Sequence, residues 1–326
     1  MLAAGSADVL AFVWLYVVTT LGGELAVLGL GLAITKLRWR IRTDLWWPLA
    51  SAAAPLALAG LFIALYYRFD MVLLGALKPE EDVGQYGAAY RFLEAFAVLA
   101  SLVAVVMAPV WARSFVEQAG VLQRRYDRVM RLALQVALPV GIAGSMTAWR
   151  LLPQIPGLDG FDGAGVALSI LSSAAAFIFV ASIAQGILIS AHHQRRLLVI
   201  AAWGFVVNLI LNLALIPPYS YIGASVATSL TEAIVLGVTL YALRTRLGLT
   251  WPSTGIVRTL VPCIALAATL LLGFAIPVEA QLVAGMVVYA VAALAVGAVT
   301  RDDLNAFLPA IRRRGDAPVD VTSPQV

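Results

Sequence analysis

Glu24, Arg68, Asp70, Arg91, Glu94 and Glu232 interrupt long runs of Ala, Val, Leu and Ile, and Asn208 and Asn212 add two amides to another such run. An ionisable side chain in hydrocarbon costs roughly 2.5–3.5 kcal/mol on insertion scales, so by default it faces a partner or a wet cavity and marks function. Arg68 and Arg91 are the sharpest signal. No equally buried excess of acid neutralises both, and structural glue between helices seldom needs a guanidinium, so an anionic substrate is the expectation for this pair. The plainer alternative, that the Asn, Thr and Glu side chains only tie helices together, is common in bundles.

Depth along the helices orders these groups. Counted from a turn centred near Glu80 at ~1.5 Å per residue, Asp70 and Arg91 each lie ~15 Å along their helices, level enough to pair. Arg91 and Glu94 are three apart and share a face, whereas Arg68 and Asp70 are two apart and do not, so Arg68 needs another partner or a ligand. Asn208 and Asn212 share a face four residues apart, and Thr228 and Glu232 do the same one span later.

Other chemistries lack their residues. The single cysteine, Cys263, lies in an apolar stretch and excludes a disulfide framework, a zinc knuckle or a Cys-x-x-Cys redox pair. His192 and His193 are adjacent rather than four apart, with no carboxylate or thiol nearby in sequence, so no metal site is expected. Gly29-Leu-Gly31 lacks a preceding strand and a third glycine, and neither a Walker lysine motif nor a Gly-x-Ser-x-Gly elbow occurs. Neither a catalytic group nor a resident cofactor is expected, and the chain does not read as an enzyme.

The elements that must position these residues are membrane spans. Of 326 residues 62% are hydrophobic and 12% charged, against about 25% charged in soluble domains. About nine stretches are long enough to cross a bilayer: approximately Val9–Thr35, Leu45–Leu77, Val83–Ala112, Val129–Ala148, Gly163–Ala191, Leu197–Ile216, Tyr221–Leu243, Ile256–Ile276 and Ala280–Thr300. The expected fold is an all-α polytopic membrane bundle. Pro217-Pro218, the segment from Pro153 to Gly165 and Trp251-Pro252 separate spans.

Basic residues concentrate on one side: Lys36, Arg38, Arg40 and Arg42; Arg113, Arg124, Arg125, Arg128 and Arg131; Arg195 and Arg196; Arg244, Arg246 and Arg258; Arg301 and Arg312 to Arg314. The opposite side holds Lys78 and Arg150, which makes the crowded side and the C-terminus cytoplasmic. These residues form no continuous basic face, so nucleic acid is not an expected partner. The segment from Ser114 to Arg131 reads either as an amphipathic linker on the membrane surface or as a solvated loop. The tail from Arg312 onward is polar and aperiodic and is expected to be disordered.

The stretch YYRFDMVLLGALKPEEDVGQYGAAYRFLEAFAVLASLVAVVMAPVWAR, Tyr66 to Arg113, resembles the seventh and eighth helices of polysaccharide flippases of the multidrug/oligosaccharidyl-lipid/polysaccharide (MOP) superfamily. The pattern is an aromatic pair, an arginine and an aspartate before an apolar run (Tyr66 to Asp70), then Val83 to Tyr86, Ala89 to Arg91 and the late Pro109. VVNLILNLALIPPYSYIGASVATSLTE, Val206 to Glu232, is similar to the eleventh and twelfth helices of that family.

The resemblance implies that the first span corresponds to helix six and that the first five helices are absent. A truncated gene, a split gene or a mis-called start would each account for that. The implied division is 1–44 for the last helix of an N-terminal lobe and a basic linker, 45–245 for a six-helix C-terminal lobe, 246–302 for two added helices and 303–326 for a polar tail. The implied function is translocation of undecaprenyl-diphosphate-linked oligosaccharide across the bacterial cytoplasmic (inner) membrane during polysaccharide biosynthesis, by alternating access. Arg68 and Arg91 would bind that substrate. A sodium site of related lipid II flippases maps onto Asp70, Asn208, Asn212 and Thr228, with Asn212 standing where an acid is usual; proton coupling through Asp70 or Glu232 is the other route. Implied partners are the lipid-linked oligosaccharide, membrane lipids and the missing lobe or other polysaccharide-assembly proteins. The alternatives are a drug or metabolite antiporter of the same superfamily, coupled to a cation, and a non-transporting fragment of a flippase.

Overall fold

The computed structural model describes residues 6–34, 42–117, 120–155, 160–251 and 253–298. Among them every regular element is helical, as a backbone that must satisfy itself in hydrocarbon requires. The helices are α1 (Ser6–Ile34), α2 (Trp46–Leu77), α3 (Glu80–Ser114), α4 (Val121–Leu151), α5 (Asp162–Ser190), α6 (Gln194–Leu247), α7 (Ser253–Leu272) and α8 (Val278–Ala295). All 8 of these described helices are long and apolar enough to cross a membrane. The chain is a multi-pass membrane protein built as an all-α bundle.

Eight helices account for nine expected spans because α6, 54 residues long, is two spans in one. Its backbone leaves helical geometry at Ser220 (φ 51°, ψ −132°), just after Pro217-Pro218. The arms, 194–219 and 221–247, then fold back on each other. Val235 packs on Gly204, Asn208 Nδ2 donates to Thr231 Oγ1 at 3.4 Å, and Gly223 lies on the Leu215 carbonyl, where a Cβ would come within 2.2 Å of the oxygen. These pairs step in opposite directions along the two arms, so the arms are antiparallel and only a glycine fits at their closest approach.

The chain divides into two compact units, Met1–Ala52 and Ala53–Val326. The first holds α1 and the start of α2; α1 is apolar along most of its length, with Glu24 exposed on it. In the second, α5 is the central element, and its small residues let neighbours approach closely. Gly141 and Gly144 of α4 meet Ala176 and Ser172 of α5 in antiparallel order, while Phe96 of α3 meets Phe179 of α5 in a helix pair that runs parallel. The α7 and α8 pair packs on α4 through a separate apolar cluster that contains Ala143, Cys263, Leu266 and Tyr289. Inside that contact Gln135 Nε2 donates to Thr259 Oγ1 at 2.9 Å, and Tyr289 Oη donates to Gln135 Oε1 at 2.6 Å.

The α2–α3 hairpin is fastened to the α6 hairpin at their tips. Lys78 Nζ donates to the Pro217 carbonyl at 2.7 Å, a cation answering the free carbonyls at the end of the first arm. Ser220 Oγ donates to the Asp82 carboxylate.

Between Ser114 and Arg131, neither a surface helix nor a loop fills the whole stretch: α3 runs to Ser114 and α4 already begins at Val121, so Val121 to Arg131 form roughly its first three turns. Residues 118–119, the loop positions 156–159, the basic residues Lys36, Arg38, Arg40, Arg301 and Arg312 to Arg314, and the tail 303–326 lie outside the described residues.

Candidate ligand cleft and buried polar cluster

The antiparallel α2–α3 pair turns at Lys78-Pro79, with Val83 over Gly75 and Met71 over Gly87. On one side of it opens a cleft of about 880 Å³ lined by Arg68, Arg91, Glu94 and Phe161. Both arginines thus face one shared space, although they come from different helices. Arg68 Nη2 reaches Glu94 Oε1 at 2.9 Å, with side chains 66% and 39% exposed. Arg91 is exposed and has no ion-pair partner among the described residues. The acid that shares the helix face of Arg91 therefore serves the arginine across the helix pair.

Arg91 does not meet Asp70, contrary to the depth argument. Asp70 is fully buried and turns away from the cleft. Tyr86 Oη donates to its Oδ2 at 2.5 Å, the Met71 amide to its Oδ1 at 2.7 Å, and Thr228 Oγ1 lies 3.4 Å from Oδ2. The hairpin register that brings Asp70 level with α3 puts Tyr86 at the buried face, and a hydroxyl is far less costly to bury than a guanidinium.

One turn away along α2, Tyr66 Oη donates to Glu232 Oε1 at 3.0 Å. The pairs Asp70/Thr228 and Tyr66/Glu232 run in opposite directions, so α2 and the second arm of α6 are antiparallel and joined by two polar rungs. On the first arm, Asn212 Nδ2 donates to Asn208 Oδ1 and to the Asn208 carbonyl, both at 2.9 Å. The hairpin register sets Asn212 level with Ala227 and Thr228. Its Oδ1 is buried and accepts no hydrogen bond.

Asp70, Asn208, Asn212, Thr228 and Glu232, separated by up to 162 positions in sequence, are thus all buried on α2 and the two arms of α6: Asp70 is joined to Thr228, Glu232 to Tyr66, and the Asn208–Asn212 pair to Thr231. Among the described residues no three His, Cys, Asp or Glu side chains gather as a metal cluster. What gathers instead is carboxylate, amide and hydroxyl oxygen, the donor set of a small hard cation. His193, in the turn between α5 and α6, places Nδ1 at 2.7 Å from the Ala191 carbonyl.

Two members escaped the sequence reading: Tyr66 and Tyr86 carry the hydroxyls that answer the two acids. Glu94, expected on the Arg91 face, answers Arg68 instead. The signal for Tyr86 was its position: across a turn at Pro79 it mirrors Asp70 to within a helical turn. For Tyr66 the signal lay only in the α2–α6 register, which a single sequence does not display.

Residues 2–115 match the family model described as polysaccharide biosynthesis protein. In fold the chain is similar to the solved structure of the lipid II flippase MurJ in an inward closed conformation, with a TM-score of 0.66 at 13% identity, covering 87% of this chain and 61% of that one. It thus spans about three fifths of the flippase's length. Lower similarities, each with a TM-score of 0.47, connect it to a MOP superfamily transporter from Pyrococcus furiosus (18% identity, 67% of this chain and 51% of that one) and to a multidrug resistance MATE family transporter (15% identity, 80% and 67%). No curated protein matches the chain. The family-model match over residues 2–115 and the fold shared with the flippase agree with the resemblance read from Tyr66 to Arg113.

Proposed function

We propose that the chain carries undecaprenyl-diphosphate-linked oligosaccharide across the bacterial cytoplasmic membrane by alternating access, with its C-terminus cytoplasmic, in concert with a facing lobe. The observation that carries this is the convergence of Arg68 and Arg91 on one cleft of about 880 Å³. Two guanidinium forks suit a diphosphate, since each donates two parallel hydrogen bonds to an oxyanion. An antiporter of organic cations would want acids lining that space, and the single acid there is already held by Arg68.

The buried polar region serves as the coupling site. Asp70, Thr228, Asn208 and Asn212 would take Na+, and the free Asn212 Oδ1 is an oxygen such an ion would use. Glu232, bonded by Tyr66, is the position for a proton. The lipid tail remains in the bilayer, so membrane lipids and other polysaccharide-assembly proteins complete the set of partners.

The test is binding and translocation in lipid vesicles by the chain together with its facing lobe. Arg68→Ala and Arg91→Ala are each expected to weaken binding of undecaprenyl-diphosphate-linked glycan by about tenfold, the scale of one charge-assisted contact. The double variant should stop transfer of that lipid between leaflets. Unchanged binding in the double variant would remove the proposed role of the cleft.

A further inference from the structure

We propose that Glu94 is a built-in competitor for the ligand of Arg68, holding that guanidinium in the empty cleft and yielding it to the incoming anion; this rests on the transport role proposed above. Three facts about the cleft lead there. Arg68 and Arg91 both line it, yet among the described residues only Arg68 is ion-paired, to Glu94 Oε1 at 2.9 Å. The pair joins α2 to α3 and lies outside the packed core on both sides, 66% and 39% exposed, so exchanging one oxyanion for another requires no opening of that core. Glu94 itself lines the same space, so once released it remains beside whatever replaces it.

The two arginines therefore differ in kind. Arg91, without an acid partner among the described residues, is a standing cation that captures a first phosphate. Arg68 is available to a second phosphate only in exchange for Glu94. A carrier must bind well enough to load and weakly enough to unload. Two uncompensated guanidiniums in one cleft would favour loading alone, whereas a carboxylate that returns to Arg68 displaces the ligand again. Glu94 does not contribute affinity; it sets the release side of the balance.

The experiment measures binding of a soluble diphosphate probe, farnesyl diphosphate, to the purified full-length chain in nanodiscs. Glu94→Gln keeps the shape and a weaker hydrogen bond but removes the competing charge. It is expected to tighten binding by about two- to fivefold, the range measured for removing one exposed charge interaction. The decisive comparison is the same substitution in an Arg68→Ala background, where the competition has no object. There Glu94→Gln should change affinity by less than about 1.5-fold. If Glu94→Gln tightens binding equally with and without Arg68, the acid acts by general repulsion and the competitor role is wrong. If it weakens binding, Glu94 supports the ligand instead and the proposal is overturned while the arginine cleft stands. If neither Arg68→Ala nor Arg91→Ala alters binding, the transport role itself fails, an outcome distinct from the other two.

Discussion

Among the described residues no cationic side chain answers the Asp70 carboxylate; its oxygens meet the Tyr86 and Thr228 hydroxyls and one backbone amide. An anion removed from water in that company is costly unless something positive joins it. If Na+ does so, it binds the folded chain and not the unfolded one, and stability must rise with its concentration. The purified chain is expected to melt a few degrees higher in NaCl than in choline chloride, and Asp70→Asn should abolish the difference. A sodium response that survives in Asp70→Asn would move the ion elsewhere. At this scale the sequence was a good guide to which charged residues lie within the spans and a poor one to what they touch. The cost of charge in hydrocarbon singled out Asp70, Arg68, Arg91 and Glu232 without any structure. The pairing of Asp70 with Arg91 failed because depth along a helix says nothing of azimuth: Tyr86 occupies the buried face and Arg91 the open one.

Among the elements, α6 is the one whose shape decides the site, since its turn sets Asn208 against Thr231, with Asn212 bonded to Asn208. The turn requires Gly223, where a Cβ would fall within 2.2 Å of the Leu215 carbonyl oxygen, a backbone atom that cannot step aside. Gly223→Ala is expected to lower stability by about 1–3 kcal/mol or to prevent the hairpin from closing. Gly237, further along the same arm, has nothing within 4 Å of the added methyl, so Gly237→Ala should be neutral or stabilising by up to about 1 kcal/mol. Thermal melts of the two variants side by side check both signs. The span boundaries were legible because apolar length is a sequence property, and Pro217-Pro218 marked the break within α6. The start of α4 was not, since the opening turns 121–131 are polar on much of their surface and resemble a loop until the apolar positions are seen to continue the same helix.

At the scale of the molecule, α7 and α8 are tied to the six-segment body by a small polar network buried within an apolar contact. Gln135 of α4 bonds Thr259 of α7 and accepts from Tyr289 of α8, and Arg150 Nη1 donates to Gln281 at 2.9 Å near the other end. Gln135→Ala removes the Nε2 bond to Thr259 and the Oε1 bond from Tyr289, whose hydroxyl keeps the carbonyl of residue 135 at 2.8 Å, a loss of about 1 kcal/mol. The sole cysteine offers a direct readout, because Cys263 is buried in that same contact. Its reaction with a maleimide should be slow in the wild type and at least about fivefold faster in Gln135→Ala. Equal rates would mean that the apolar packing alone holds α7 and α8 in place.

The two fastenings at the tips, Lys78 to Pro217 and Ser220 to Asp82, act together with the two rungs at Asp70/Thr228 and Tyr66/Glu232. Three of these cross-link the α2 side to α6 and the Ser220 contact ties α6 to Asp82 of α3, so a one-turn slide of about 5.4 Å between the two hairpins would break them all. The seam therefore behaves as a stator, along which the arginines and the buried oxygens keep a fixed spacing, and under the proposed alternating access the moving part is the facing lobe.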